Sequence, residues 1–364
     1  MASTSRAAVQ LGPDRIEIQE IPIPDIKADE GLLRVERCGL CGSDVEQYKG
    51  ERKDRKYPVI PGHEPVGIIE RIGDRAARNW GVQEGDRVIV QAPIPCLHCR
   101  RCMEGQFTTC VNKHNFGDTP TAVAPGLWGG YAEYLYLDPN ATVHKISKSV
   151  PLDIAATFNS LACGVAWGAT LPGTKVGDTV VVMGCGQRGL SCLIAAKAAG
   201  ADTTFVTGLA KDAHKLAMAR ELGADYVVNI EEEDIVQKVK DVTGGQLADV
   251  IIDVVPYATN TLAQAVDMAR PGATIVMAGV KGDRPVENLF SDKITKKALR
   301  LQGAAGKLAD SQLQSIRILE SGRFPLDKLH SHTFPLDQAA QALETLAGNV
   351  PGETAICVCI APDQ

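Results

Sequence analysis

Residues 179–200, TVVVMGCGQRGLSCLIAAKAAG, constrain the fold more than any other stretch of this chain. Thr179, Val180, Val181 and Val182 are β-branched and Met183 extends the run, which predicts a strand. Gly184-Cys185-Gly186-Gln187-Arg188-Gly189 follows as a G-x-G-x-x-G turn. Leu190, Leu193, Ile194 and Ala198 then recur at helical spacing, and Gly200 stops the helix. Strand, glycine turn and helix in that order suit a dinucleotide. Gly184 makes the tight turn, Gly186 lets the backbone approach a pyrophosphate, and Gly189 lets the helix pack close to the strand. The helix N-terminus offers free N–H groups and partial positive charge to the phosphates. Gln187 and Arg188 fill the variable positions of the turn and are candidate cofactor contacts with it. For a lone motif of this kind a plain tight turn is the competing reading.

The chain has 364 residues, more than one ordinary core accommodates, so two domains are expected. A net charge of −6, with no clustered Lys/Arg run, argues against a nucleic-acid partner. No apolar run reaches membrane-spanning length, and MASTSRAAVQLGPDR has no apolar core of a signal peptide. A cytoplasmic protein without a membrane partner is the expectation. The 11 cysteines are odd in number and several are closely spaced, which favours metal thiolates over disulfides.

Residues 1–150 read mostly as β-structure, with strands expected at 15–18, 32–37, 66–72 and 87–90 and no sustained helical period. Two stretches here carry mixed ligand types: Cys38-Gly39-Leu40-Cys41-Gly42-Ser43-Asp44, and Pro61-Gly62-His63-Glu64. A thiolate, an imidazole and a carboxylate are zinc ligand types. Ser43 lies two residues past Cys41, where a metal-bound alcohol could pass its proton to the hydroxyl. Asp44 is placed to hold the other nitrogen of His63 and fix its tautomer. His63 alone reads better as a satisfied core histidine; beside CGLCGSD the balance reverses. A third stretch spaces Cys96, Cys99, Cys102 and Cys110 as C-x2-C-x2-C-x7-C. Four thiolates so close fit a closed tetrahedral zinc of structural role, with an iron–sulfur cluster as the rival and a chance cluster a poor third.

CGLCGSD, PGHEPVG, GDRV, the four-cysteine lobe, GGYAEY and the late G-x-G-x-x-G occur in that order over essentially the whole length. The chain resembles the zinc-dependent medium-chain alcohol/polyol dehydrogenases. The resemblance implies a GroES-like β-barrel catalytic domain with an inserted Rossmann domain, a doubly wound parallel sheet. The boundaries expected are 1–158 for the catalytic domain, 159–303 for the dinucleotide-binding domain, and 304–364 returning to the first. It implies reversible hydride transfer between an alcohol carbon and nicotinamide C4 of NAD or NADP, with one catalytic and one structural zinc. Cys41 and His63 match catalytic-zinc ligands, Glu64 the adjacent acid that can swing onto the metal, and Ser43 the proton acceptor. Cys96, Cys99, Cys102 and Cys110 match the structural-zinc lobe, and Gly184, Gly186 and Gly189 the cofactor fingerprint. A small alcohol or carbonyl substrate and a homodimer or homotetramer follow from the same resemblance.

Three positions depart from the family pattern. Asn159 stands where a third zinc ligand is usually Cys, Glu or Asp, and Cys163 lies one helical turn on. Asn159 is a neutral and weaker candidate ligand, and Cys163 substitutes only on a register shift, so the zinc leans on Glu64, binds weakly, or is absent. Glu46 occupies the position of a relay histidine. The second strand of the dinucleotide fold runs into Thr207-Gly208-Leu209-Ala210-Lys211, with no acid for the adenosine ribose. Gly208 and Lys211 are therefore candidate cofactor contacts, and Lys211 facing a 2′-phosphate favours NADP; Asp212, slightly late, keeps NAD open.

From Gly200 strands and helices alternate, with strands expected at 203–207, 226–228, 249–255, 273–280 and 299–303 and helices at 213–222 and 259–269. Residues 151–173 read as a helix, as do 311–321 and 336–346, and the β-rich run 354–360 is expected to rejoin the first domain. Tyr48, Trp128 and Phe158 are candidate pocket walls. Two rivals to alcohol oxidation remain: a zinc-free, NADPH-dependent reductase of conjugated carbonyls on the same scaffold, and a nucleotide-binding protein without turnover.

Overall fold

The structure, a computed structural model, describes residues 3–53, 55–308 and 310–363. It divides into two compact units, one of Met1–Asn159, Ile316–Gly322 and Leu326–Gln364, the other of Ser160–Ser315 and Arg323–Pro325.

In the first unit, β1 (Thr4–Gly12) and β2 (Arg15–Pro22) form an antiparallel pair. They are followed by β3 (Gly31–Gly39), β4 (Pro65–Ile72) and β5 (Arg87–Val90), then a short ribbon of β6 (Pro93–Ile94) and β7 (His114–Asn115), then β8 (Tyr134–Leu137) and β9 (Val143–Lys145). The second unit supplies β10 (Thr179–Met183), β11 (Thr203–Gly208), β12 (Tyr226–Asn229), β13 (Ala248–Asp253), β14 (Ala269–Met277) and β15 (Arg300–Gly303). The chain then returns to the first unit with β16 (His330–Pro335) and β17 (Cys357–Ala361). The main sheet there runs β16-β17-β3-β4-β5-β9, with β8 also paired to β3. Its centre is apolar: Leu33, Val35, Val88, Val90, Leu135 and Ile360 are all buried in one cluster.

Residues 1–150 hold more helix than their pattern suggests: α1 (Gly42–Tyr48), α2 (Asp74–Trp80) and α3 (Arg100–Met103). Each is seven residues or fewer, too short to show a periodic apolar stripe. End signals define them instead. At the start of α1 the Asp44 carboxylate accepts the Cys41 N–H at 2.8 Å, and α2 ends on Gly81 in the left-handed conformation at φ 66°. The single helix expected at 151–173 is α4 (Leu152–Ala155), α5 (Phe158–Gly164) and a π-helical segment, Val165–Thr170.

In the second unit all six strands are parallel in the order β12-β11-β10-β13-β14-β15, with α6 (Gln187–Ala199), α7 (Ala213–Glu221), α8 (Ile235–Val242), α9 (Thr261–Met268) and α10 (Ser291–Lys296) between them. This is the doubly wound order, and the strand sequence reverses between β10 and β13. The β10–α6 turn lies at that reversal, since a side chain at Gly184 would meet Val254 and Val255 just beyond β13. α8, for which no helix was expected, turns Ile235 and Val239 inward one turn apart, and its start is fixed by Asp234, whose carboxylate accepts the N–H groups of Val236 and Gln237 at 2.8 and 3.2 Å. Pro271-Gly272 does not separate helix from strand as expected: β14 begins earlier, at Ala269, and runs through them. Arg270, Pro271 and Gly272 are only partly covered, and proline is tolerated at such a strand start. α11 (Ser311–Ser321) and α12 (Ala339–Ala347) complete the helices, and α12 packs on α1 and β17. Among the described residues no helix is long and apolar enough to cross a membrane.

Phe205 is fully buried at the centre of the second unit's core and stacks on Tyr226 with ring centroids 4.9 Å apart. Phe205→Ala should destabilise this unit by about 3–5 kcal/mol, read as a lowered denaturant midpoint; an unchanged midpoint would contradict this packing.

Candidate active site

Cys41 is the extended residue before α1, and its buried thiol lies where β3 gives way to that helix. His63 and Glu64 come from the turn that enters β4. The structure gathers one ligand atom each from Cys41, His63 and Glu64 within 4.8 Å of one another. Asp44 organises the group with both of its oxygens. Oδ2 accepts the Cys41 N–H at 2.8 Å, and Oδ1 lies 3.1 Å from His63 Nδ1. The second contact keeps the proton on Nδ1, which donates it to the Asp44 carboxylate, and leaves Nε2 as the nitrogen for a ligand. Glu64 Oε1 lies 3.7 Å from that Nε2. Glu64 is buried beside β3, and a side chain at Gly39 would come within 2.7 Å of its Oε2.

Asn159 lies at the start of α5, in the same unit, and its Nδ2 donates to Glu64 Oε1. The amide nitrogen must face the carboxylate, because its oxygen would be repelled there. Cys163, one turn further, is buried and is not part of the metal-competent group. Ser43 is half-buried in the first turn of α1, and Glu46 lies on the same helix.

The site is strongly electronegative. Burial disfavours a charged His63, but the Asp44 charge and hydrogen bond, with Cys41 and Glu64, outweigh it and hold its pKa well above the usual value. Tyr131 is pushed up by burial and further by Asp44, Cys38, Glu64 and Cys41. Burial also pushes up the Cys38 thiol, reinforced by Asp44 and Glu64. Two carboxylates and a thiol around one half-buried imidazole form a donor set that calls for a cation, and zinc fits thiolate, imidazole and carboxylate together.

The four-cysteine lobe has a different geometry. Cys99 precedes α3, Cys102 lies within it, and Cys110 ends the 3-10 turn Phe107–Thr109. The Sγ–Sγ separations are 3.5 Å for Cys96–Cys110, 3.6 Å for Cys99–Cys102, 3.8 Å for Cys99–Cys110 and 4.0 Å for Cys96–Cys102. Thiolates about 2.3 Å from one tetrahedral zinc would be about 3.8 Å apart. A multi-iron cluster would force them wider, so the spacing decides for a single ion. Backbone N–H donation, first from His98, lowers the Cys96 thiol to about 6.

At the cofactor turn Gly184 has φ 102°, and a side chain at Gly189 would come within 1.9 Å of the Gly184 carbonyl. At Gly186, just before α6, a side chain would meet nothing within 4 Å. That opening above a 13-residue helix N-terminus suits a pyrophosphate. Gln187 begins α6, and the Arg188 guanidinium lies 5.5 Å over the Trp167 ring. Gly208 ends β11, where a side chain would come within 2.6 Å of Cys185 Sγ. Lys211 is exposed, in the turn between β11 and α7. Two of the aromatic residues expected to wall a pocket are core instead. Tyr48 and Trp128 belong to the apolar cluster of the first unit, and the Trp128 indole donates to Val123 O at 2.7 Å. Phe158 is fully buried. The GGYAEY stretch was the sequence signal for Tyr131, whose place beside the site the spacing alone does not reveal.

Residues 27–148 match the alcohol dehydrogenase GroES-like domain, and residues 188–319 match the zinc-binding dehydrogenase domain. The chain is 42% identical over 363 residues to a "Probable alcohol dehydrogenase" of Mycobacterium tuberculosis, covering 98% of each. It is 34% identical to the erythritol/L-threitol dehydrogenase of Mycolicibacterium smegmatis, covering 98% of this chain and 97% of the other. Among solved structures, an alcohol dehydrogenase of Thermotoga maritima superposes with a TM-score of 0.88 at 25% identity, covering 100% of both chains. The chain belongs to the zinc-dependent medium-chain dehydrogenase/reductase family. Within that family it is an NAD(P)-dependent alcohol dehydrogenase whose substrates are small alcohols or carbonyls.

The lobe geometry gives a direct test. Cys99→Ser should lose one zinc by elemental analysis and lower the melting temperature, because it opens a closed metal site. Unchanged metal content and melting temperature would refute a metal in the lobe.

Proposed function

We propose that the chain oxidises a secondary alcohol or polyol reversibly, with a zinc held by Cys41, His63 and Glu64 and a nicotinamide dinucleotide at the turn of Gly184, Gly186 and Gly189. The observation that carries this reading is the convergence of a thiol, an imidazole and a carboxylate in one buried, electronegative cluster. Zinc bound there would act as a Lewis acid, lowering the pKa of the substrate hydroxyl. The cofactor would accept the hydride. The chain's own residues orient and move protons. Ser43 takes the substrate proton. Asp44 holds Nδ1 of His63 so that Nε2 faces the metal. Asn159 acts through Glu64, fixing Oε1 by donation from Nδ2, rather than as a ligand itself. Cys96, Cys99, Cys102 and Cys110 hold a second, structural zinc. In this reading residues 1–158 with 304–364 carry the metal chemistry and residues 159–303 the dinucleotide. Kinship with a relative named for erythritol and L-threitol supports a polyol substrate. Family resemblance supports a homodimer or homotetramer, and the thiolate metal sites support a reducing, cytoplasmic setting.

The preferred cofactor is NADP. No acid ends β11, and a side chain at Gly208 would crowd Cys185 Sγ and Leu216. Asp212, the nearest carboxylate in sequence, pairs with Lys215 at 2.9 Å, while exposed Lys211 is placed to meet a 2′-phosphate. Gln187 and Arg188 complete the phosphate contacts of the turn.

Cys41→Ser should abolish turnover while leaving the circular dichroism spectrum intact; turnover equal to wild type would sink the metal assignment. Asp44→Asn should lower kcat/KM or zinc affinity about 10–100-fold, as expected for a group that orients a ligand. Lys211→Ala should raise KM for NADP and leave KM for NAD unchanged. A wild-type enzyme that favours NAD would overturn the cofactor preference. Reduction of a conjugated C=C bond that survives chelation would instead favour the zinc-free reading.

A further inference from the structure

A second mixed-ligand cluster lies in the first unit, formed by residues that the alcohol chemistry does not use. Asp153 of α4, His330 of β16 and Cys359 of β17 each bring one ligand atom within 4.8 Å of the others. β16 and β17 are parallel and place Thr333 opposite Cys359. His330 would ordinarily point to the other face from Thr333, three residues away. The register shift between His330 and His332 brings it round, and His330 Nε2 lies 2.9 Å from Thr333 Oγ1. Thr333 Oγ1 is also 3.4 Å from Cys359 Sγ. Asp153 approaches from the helix side. Its Oδ1 accepts from Arg37 Nε at 3.1 Å and lies 3.5 Å from Thr333 Oγ1 and 3.9 Å from Cys359 Sγ, while Oδ2 faces His330 Nε2 at 3.9 Å.

We propose that the Asp153 carboxylate, His330 Nε2 and Cys359 Sγ form a further zinc site with a fourth position for water. Thiolate, imidazole and carboxylate make a zinc donor set, and three protein ligands with one open position are a recurrent zinc arrangement. The carboxylate is already oriented, because Arg37 holds it through Oδ1, with Cys359 Sγ beside that oxygen and His330 Nε2 beside Oδ2. Arg37 would repel a cation, but Asp363 lies 3.4 Å from its Nη1 and offsets part of that charge. Binding exchanges the Thr333–His330 hydrogen bond for a metal bond and releases the Cys359 thiol proton to solvent. The Asp153 side chain is 42% exposed, which gives an ion a way in, whereas Cys359 is buried and His330 half-buried.

The test is zinc per chain on wild type, His330→Ala and Cys359→Ala, after dialysis of each full-length enzyme against the same low, buffered free zinc. The expected result is one zinc fewer in both variants than in wild type, with kcat for alcohol oxidation retained in His330→Ala. Equal zinc in wild type and His330→Ala overturns the site, whatever the total. His330 is partly exposed, so its variant keeps the experiment informative if Cys359→Ala fails to fold. Loss of turnover in Cys41→Ser is read separately, so failure of this site and failure of the alcohol-oxidising site are distinguishable.

Discussion

The Asp44 carboxylate ties local backbone to chemistry. One oxygen ends the run from β3 by accepting the Cys41 N–H, and the other holds the His63 ring nitrogen. Start of helix and orientation of the imidazole therefore share one side chain. A loop ligand held this way loses little freedom on meeting a metal, since its geometry is set before the ion arrives. The negative potential that Asp44, Glu64 and Cys41 create is itself a consequence of burial. Water that would screen these charges is excluded, so a cation becomes the most favourable way to balance them.

The second unit depends on steric rather than electrostatic constraint. Gly189 lets α6 sit against the turn after β10, and Gly208 leaves the end of β11 to the Cys185 thiol. A different contact governs the second glycine: a side chain at the end of β11 would crowd the Cys185 thiol and Leu216, so packing of one buried cysteine accounts for the glycine there.

What could be read from the sequence was whatever lies close together along it. The four cysteines span 15 positions, the glycine turn six, and Cys41 and Asp44 share one helical turn, so spacing alone exposed them. The parallel sheet was legible because β-branched strands and helices alternate from Thr179 onwards. Pairs joined only by the fold were not. Asn159 was recognised as an odd occupant of a ligand position, but its donation to Glu64, 95 residues earlier, depends on how α5 follows β4 in space. Asp153, His330 and Cys359 lie on three elements, and a register shift in β16 is needed to bring the histidine round. A short helix such as α1 was hidden because its ends, rather than a periodic face, define it.

The order of strands in the first sheet has a consequence for how the chain is made. β17 lies between β16 and β3, and Leu40, next to Cys41, donates its N–H to Val358 O at 2.9 Å. During synthesis the cofactor unit emerges whole before these residues do. The N-terminal strands must then wait through some two hundred residues of translation for the segment that completes their sheet beside Cys41. A ribosome stalled late would carry a folded nucleotide-binding unit and an unfinished metal pocket, exposing thiols to oxidation until the last strand arrives.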